Sequence, residues 1–175
     1  MVVSTNKLGR SGMSLTEMGF GGAPLGGVGQ RTSEDQAMEI LREAYESGIR
    51  YFDTAPLYGK GLSEKRIGKF LNTVSRDSFV ISTKVGRLLV PKDEGQRDQM
   101  IHHDESKSII YDYSYEGAKT SLEASITRLG IDHVDLLLCH DIDKWTHGEG
   151  QPEILKNAKQ GILPALCDLR SEGVI

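Results

Sequence analysis

A chain of 175 residues, 38% apolar and 26% charged, has the length and composition of one packed domain and excludes wholesale disorder. Its formal net charge of −4, with no basic tract, argues against a nucleic acid or another polyanion as partner. No window approaches the apolar length that crosses a bilayer, and the opening Met1-Val2-Val3-Ser4-Thr5-Asn6-Lys7 lacks the basic-then-apolar order of a secretory signal. A small-molecule partner and a cytoplasmic setting are the expectation.

In chain order, Leu8-Gly9-Arg10-Ser11-Gly12-Met13 predicts a tight hairpin that leads into residues 15–20. Ser33-Glu34-Asp35-Gln36 reads as a capping box. Ala37, Ile40, Leu41, Ala44 and Tyr45 follow it at helical spacing, and Gly48 ends that helix. A strand over 50–52 comes next, then a loop holding Pro56 and Gly59. Ser63 is the expected cap of a second helix carrying Ile67, Phe70 and Leu71. Residues 79–82 form a third core strand, followed by a long polar stretch over 86–112. Ser114 caps a third helix on which Ala118, Leu122, Ile126 and Leu129 share one face, and Gly130 stops it. A fourth strand is expected over 134–139 and a second polar loop over 141–150. The last helix has Pro164 in its first turn and Gly173 as its stop; the pattern leaves open whether 152–160 makes a turn of its own. Cys139 and Cys167 fall in elements expected to be buried and read as reduced core thiols, with nothing in the sequence supporting a disulfide.

Strands alternating with amphipathic helices imply right-handed βαβ units on a parallel sheet, four of them and with no linker between. A doubly wound sheet and a closed barrel both begin this way, and periodicity does not separate them.

Asp53, Tyr58, Lys84 and His140 stand at or just past the expected strand ends. Ligands bind at the carboxyl ends of parallel strands, so these residues would meet at one mouth. Singly, each has a bland reading: a capping aspartate, a packed tyrosine, a solvated lysine, a satisfied histidine. Lys84, however, follows a strand expected to be covered on both faces, where a buried ammonium needs an anion such as Asp53. The coincidence of four tips the balance toward a proton-transfer device. A tyrosine of reference pKa ~10 is a poor acid at neutral pH, and a nearby ammonium held by a carboxylate favours its phenolate. Such a phenol can exchange a proton with a carbonyl or alcohol oxygen while a neutral histidine orients that oxygen. The set suits charge building on oxygen as hydride arrives at carbon, and the hydride must come from a cofactor.

Other candidates fare worse. In Gly19-Phe20-Gly21-Gly22-Ala23-Pro24 the third glycine of a dinucleotide fingerprint would be Pro24, and the acidic residues at the right distance, Glu39, Glu43 and Glu46, lie on a predicted helix. The run reads instead as a turn of close backbone approach. His102, His103 and Asp104 lack further ligands at metal spacing and read as a solvated loop. His133 and His147 show no partner pattern. Trp145 fits equally well a cleft wall or an anchor for its own loop.

The motifs Leu8-Gly-Arg-Ser-Gly-Met13, Gly19-Phe-Gly-Gly22, Gly48-Ile-Arg-Tyr-Phe-Asp-Thr-Ala-Pro-Leu-Tyr-Gly59, Leu62-Ser-Glu64, Ser82-Thr-Lys-Val-Gly86, Ser125-Ile-Thr-Arg-Leu-Gly-Ile-Asp132 and Asp135-Leu-Leu-Leu-Cys-His140 together resemble the aldo-keto reductase superfamily. Gly61-Leu62-Ser63-Glu64 and Cys139-His140-Asp141-Ile142-Asp143 are similar in style to its aldose and pyridoxal dehydrogenase branch. The resemblance implies an α/β fold of the (β/α)8 TIM-barrel class that binds NADP or NAD without a Rossmann domain. It implies Tyr58 as general acid/base, Lys84 as the residue that tunes it, Asp53 as the partner of Lys84, and His140 as the group orienting the carbonyl. It also implies that the turn of Gly21, Gly22 and Ala23 approaches the nicotinamide ribose, with Asp53 nearby. A whole barrel has eight units and typically about 250 residues, so residues 1–175 correspond to an N-terminal half: a hairpin and four βα units, with the C-terminal half absent. Open sheet edges prone to self-association and poor activity alone are then expected. The alternative is a non-catalytic half-barrel that acts only by association with a partner.

Overall fold

The computed structural model describes residues 3–29, 31–92 and 106–175. The chain opens with β1 (Thr5–Lys7) and β2 (Ser14–Thr16), an antiparallel hairpin as the sequence predicts. The run expected to continue through residue 20 breaks after β2. The Thr16 hydroxyl turns onto the Met18 carbonyl at 2.9 Å, and a separate strand, β3 (Gly19–Gly21), begins the main sheet.

Helix α1 (Glu34–Glu46) starts at the predicted capping box: Ser33 Oγ accepts from Gln36 N at 3.2 Å and the Gln36 side chain accepts from Ser33 N at 3.0 Å. It buries Ala37 and Leu41 and leads through Gly48 into β4 (Tyr51–Asp53). Helix α2 (Leu62–Leu71) begins one residue before the expected Ser63 cap. Gly61 occupies the cap position in a left-handed conformation, and Ser63 turns inward, donating to the Gly22 carbonyl at 2.8 Å. Strand β5 (Val80–Val85) follows.

The polar stretch over 86–112 is not a plain loop. Its ends form a second antiparallel hairpin, β6 (Arg87–Pro91) with β7 (Lys107–Tyr111), in which Leu88 faces Ile110 and Leu89 faces Ile109. Charged neighbours mask this short apolar pairing in the sequence. His102, His103 and Asp104 lie outside the described residues. Helix α3 (Tyr115–Leu129) runs from a Ser114 cap, which accepts from Gly117 N at 3.0 Å, to Gly130. Strand β8 (Leu136–Cys139) is followed by the short helix α4 (Lys144–His147), so the region 141–150 is partly ordered into helix. Then come α5 (Gln151–Gln160), with Pro152 in its first turn, and α6 (Ile162–Ser171).

Strands β3, β4, β5 and β8 make one parallel sheet in that order. A doubly wound sheet would reverse direction at a switch point. The steady order, with a helix after each strand, is the repeat of a (β/α)8 barrel. Phe52, Ile81 and Val85 of the sheet join Leu41, Ile67, Leu71, Leu122 and Leu129 of the helices in the buried core. Each such side chain contributes about 1.5–3 kcal/mol relative to exposure, which fixes the strand ends in place. The cysteine expectation holds only in part. Cys139 is half-buried, whereas Cys167 is exposed, because α6 buries the face of Ile162, Ala165 and Leu169 and Cys167 lies off it. Among the described residues no helix is long and apolar enough to cross a membrane.

Candidate active site

Asp53 is the last residue of β4, Lys84 the penultimate residue of β5, and His140 the first residue past β8. Tyr58 comes from the turn after β4. Lys84 Nζ donates to Asp53 Oδ2 at 2.6 Å and to the Thr54 carbonyl at 2.9 Å. The other carboxylate oxygen accepts from Ser82 Oγ at 2.6 Å. The Lys84 and Asp53 side chains are 13% and 25% exposed, so the pair is sheltered but opens on one side. The ammonium stands 4.8 Å from the centroid of the Tyr58 ring, inside cation–π range. Tyr58 in turn meets the His140 ring edge-on, with centroids 6.0 Å apart and planes at 87°. All four residues singled out from the sequence therefore gather at one place.

The Tyr58 turn is set by a backbone crossing. A Cβ on Gly26 would lie 2.3 Å from Tyr58 C, and one on Gly59 would lie 2.4 Å from the Gly26 oxygen. Only two glycines let these chain segments touch, and the contact presses the Tyr58 peptide against the turn that follows β3. Within that turn, Gly21 is exposed, pairs in register with Asp53, and has nothing within 4 Å of the place a Cβ would take. Gly22 is buried, donates to the Asp53 carbonyl at 2.7 Å, and a Cβ there would strike Ser63 Oγ at 2.6 Å. Ala23 begins a short 3-10 turn. Gly21 thus opens onto the mouth, whereas Gly22 locks the turn to the scaffold.

His140 is 8% exposed, and its backbone N donates to the Val85 carbonyl at 2.8 Å. Its Nδ1 is buried with no hydrogen-bond partner among the described residues, while Nε2 lies 3.4 Å from Asp141 Oδ2. Burial pushes the imidazole pKa down to about 4, against the upward pull of Asp141. Lys84 and Arg87 push it further down and Asp53 pulls it up. The ring is neutral at neutral pH.

Sequence reasoning missed several supporting groups. Ser82, an alternating hydroxyl two residues before Lys84, could have been read from the strand pattern. Glu64 is fully buried, accepting from Thr83 Oγ1 at 2.8 Å and from Arg128 Nε at 2.6 Å, and so ties α2, β5 and α3 together behind Lys84. His147 has partners after all: its Nε2 lies 3.0 Å from the Tyr113 hydroxyl and 2.7 Å from the Asp141 carbonyl. Trp145 is 95% exposed, which suits neither a cleft wall nor an anchor for its loop. Among the described residues no group of three His, Cys, Asp or Glu side chains could hold a metal ion.

The arrangement offers a phenol flanked by a cation and a neutral imidazole, which is equipment for moving a proton at an oxygen. Open space over Gly21 lies beside the partly exposed Asp53 carboxylate, which can accept a hydrogen bond from a hydroxyl.

Comparison with known proteins bears on this reading. The model of the Aldo/keto reductase family matches residues 17–175. The D-threo-aldose 1-dehydrogenase of a Pseudomonas species is 39% identical over 170 residues, covering 94% of this chain and 49% of that protein. The pyridoxal 4-dehydrogenase of Microbacterium luteolum is 39% identical over 180 residues, covering 96% of this chain and 52% of its own. The solved structure of an aldo-keto reductase from Bacillus halodurans superposes with a TM-score of 0.66 at 30% identity, over 99% of this chain and 48% of that one. The chain spans about half the length of the curated relatives it matches.

Proposed function

The chain belongs to the aldo/keto reductase family, and we propose that its mouth exchanges a proton with the oxygen of an aldose-like or pyridoxal-like carbonyl or alcohol during a nicotinamide-dependent oxidoreduction. The observation that carries this is the Asp53–Lys84 pair at 2.6 Å with its ammonium 4.8 Å from the Tyr58 ring. Tyr58 is the catalytic acid/base: its hydroxyl gives a proton to a carbonyl oxygen in reduction and takes one from an alcohol in oxidation. The Lys84 ammonium stabilises negative charge on the phenol oxygen while that proton is away. Asp53 holds the ammonium, and Ser82 and the Thr54 carbonyl hold both partners in place. Neutral His140 hydrogen-bonds the same substrate oxygen and aims it at Tyr58. The substrate class follows the two dehydrogenases named above, which share 39% identity with this chain.

NADP or NAD, when bound, supplies or accepts the hydride at the carbonyl carbon. Gly21 and Asp53 fit its ribose end: the glycine leaves space, and the carboxylate can accept from a hydroxyl. Gly22 and Ala23 fix the path of that turn. Incubating the chain, extended to the eight βα units of a whole barrel, with aldoses and pyridoxal-like alcohols together with NAD or NADP should generate the reduced nicotinamide with at least one substrate. A folded, extended protein that turns over no member of the panel in either direction contradicts the assignment.

One observation favours a second reading. The outer edges of β3 and β8 have no strand partner among the described residues, and Leu138 on β8 is 41% exposed. Such edges invite pairing with another chain, so a half-barrel that works by association is the competing account. Sedimentation velocity separates them: species heavier than 19.3 kDa that grow with concentration support association, and a monomer throughout contradicts it.

A further inference from the structure

His140 lies past the end of β8, at the edge of the sheet, where main-chain pairing no longer holds the backbone on both sides. The next residue, Asp141, has φ 49°, a left-handed conformation uncommon outside glycine. That turn brings the Asp141 carboxylate back alongside the His140 ring, with Oδ2 3.4 Å from Nε2. The same oxygen accepts from Arg87 Nε at 2.6 Å. Arg87 reaches over from β6, and its guanidinium lies 4.7 Å from the centroid of Tyr111 on β7. The neighbouring Tyr113 places its hydroxyl 3.1 Å from the His140 carbonyl and 2.8 Å from the Asp141 carbonyl. Arg87 of the second hairpin and Tyr113 just beyond it thus grip the turn at 140–141 with their side chains.

We propose that Arg87 and Asp141 are positioning residues for His140, holding its ring and keeping its proton on Nε2, the nitrogen that donates to the substrate oxygen. The inference rests on the reading of His140 as the group that orients that oxygen. A bare Nε2 lone pair facing a carboxylate is repelled, whereas an Nε2–H is attracted, so the anion selects the tautomer. At 3.4 Å the contact is longer than an ordinary N–H···O bond, so Asp141 biases the proton without capturing it. Arg87 has the complementary task. An unneutralised carboxylate this close would draw a second proton onto the ring; the ion pair keeps the imidazole neutral. The charged groups that act on the ring are Asp141 beside it, Arg87 from β6, Lys84 from β5 and Asp53 from β4, with the Tyr58 ring against its edge.

The test is nitrogen NMR of the protein labelled in its histidines, with the His140 signal identified by its loss in His140→Asn. The native protein should show His140 as the Nε2–H tautomer, neutral down to about pH 4. Asp141→Asn should remove the tautomer preference and lower the titration midpoint. Arg87→Met should raise the midpoint by about one unit or more, and Arg87→Lys should restore it. Midpoints that move the same way in both variants, or an unchanged tautomer in Asp141→Asn, overturn the proposal. If only one variant folds, its own shift decides. These signals do not depend on turnover, so a substrate panel that fails while the shifts appear removes the enzymatic reading and leaves the positioning pair standing.

Discussion

On the β4–β5 side of the mouth, Asp53 and Lys84 stand on neighbouring strands inside the sheet and close on each other at 2.6 Å. On the β8 side, His140 sits past its strand with one main-chain bond to the Val85 carbonyl; Tyr113, two residues past β7, bonds its carbonyl, and Arg87 of β6 bonds the neighbouring Asp141. The first side is positioned by register and core packing, so its geometry comes with the fold. The second keeps one main-chain bond to β5 and is otherwise positioned by charge and hydroxyl contacts, so its geometry depends also on protonation states and on residues far away in the chain. On the proposed roles, Tyr58 as proton donor belongs to the rigid side and His140 as the group aiming the substrate to the adjustable one.

The largest expected effect breaks the rigid side. Glu64→Gln leaves Arg128, whose side chain is only 12% exposed, without its anion behind β5. Removing one partner of a buried pair typically costs about 3–5 kcal/mol, and urea unfolding should show a loss of that size. A loss below about 1 kcal/mol, the range of an exposed pair, would mean the Glu64–Arg128 link does not brace the strand.

Acid should strike the other side. The His140 pKa, pushed down to about 4 from 6.5 by burial, means that the unfolded state binds more protons between these values. Stability contributed by the neutral ring is therefore present above pH 6.5 and lost progressively as pH falls toward 4, by about 3 kcal/mol in all. Melting temperatures across that window should fall for the native protein and fall less for His140→Asn. Parallel curves for the two would remove the contrast between the sides.

A smaller effect sharpens it. Gly26→Ala forces a methyl group against Tyr58 C at 2.3 Å, and the turn carrying the phenol must move. Overpacking of this kind typically costs about 1–3 kcal/mol, and turnover should fall further than stability alone explains, with the Lys84–Asp53 pair intact. A variant with native turnover would show that the Tyr58 turn tolerates displacement.

The same contrast explains what the sequence discloses. Asp53 and Lys84 are legible because each ends an apolar run whose period marks a strand, and the parallel sheet then brings the ends together. Arg87 and Asp141 are not legible: they lie 54 residues apart, each inside a stretch whose charges read as loop. Ser63 misleads because serine is a favoured helix cap, yet the left-handed Gly61 takes that place and frees the hydroxyl to bind the Gly22 carbonyl. The order of the strands is legible only through family resemblance, since alternating strand and helix periods suit two sheet topologies alike. What pattern conveys is the element; what it hides is contact between side chains of distant polar segments.

The account's central claim is that the Tyr58 hydroxyl carries the proton, and turnover of Tyr58→Phe measures it most directly. Removing the hydroxyl should lower kcat by about 10²–10⁴-fold, the span of general acid–base catalysis, while the circular dichroism and melting curve of the protein stay native. A variant that keeps kcat within about threefold of the native value, well below that span, contradicts the claim.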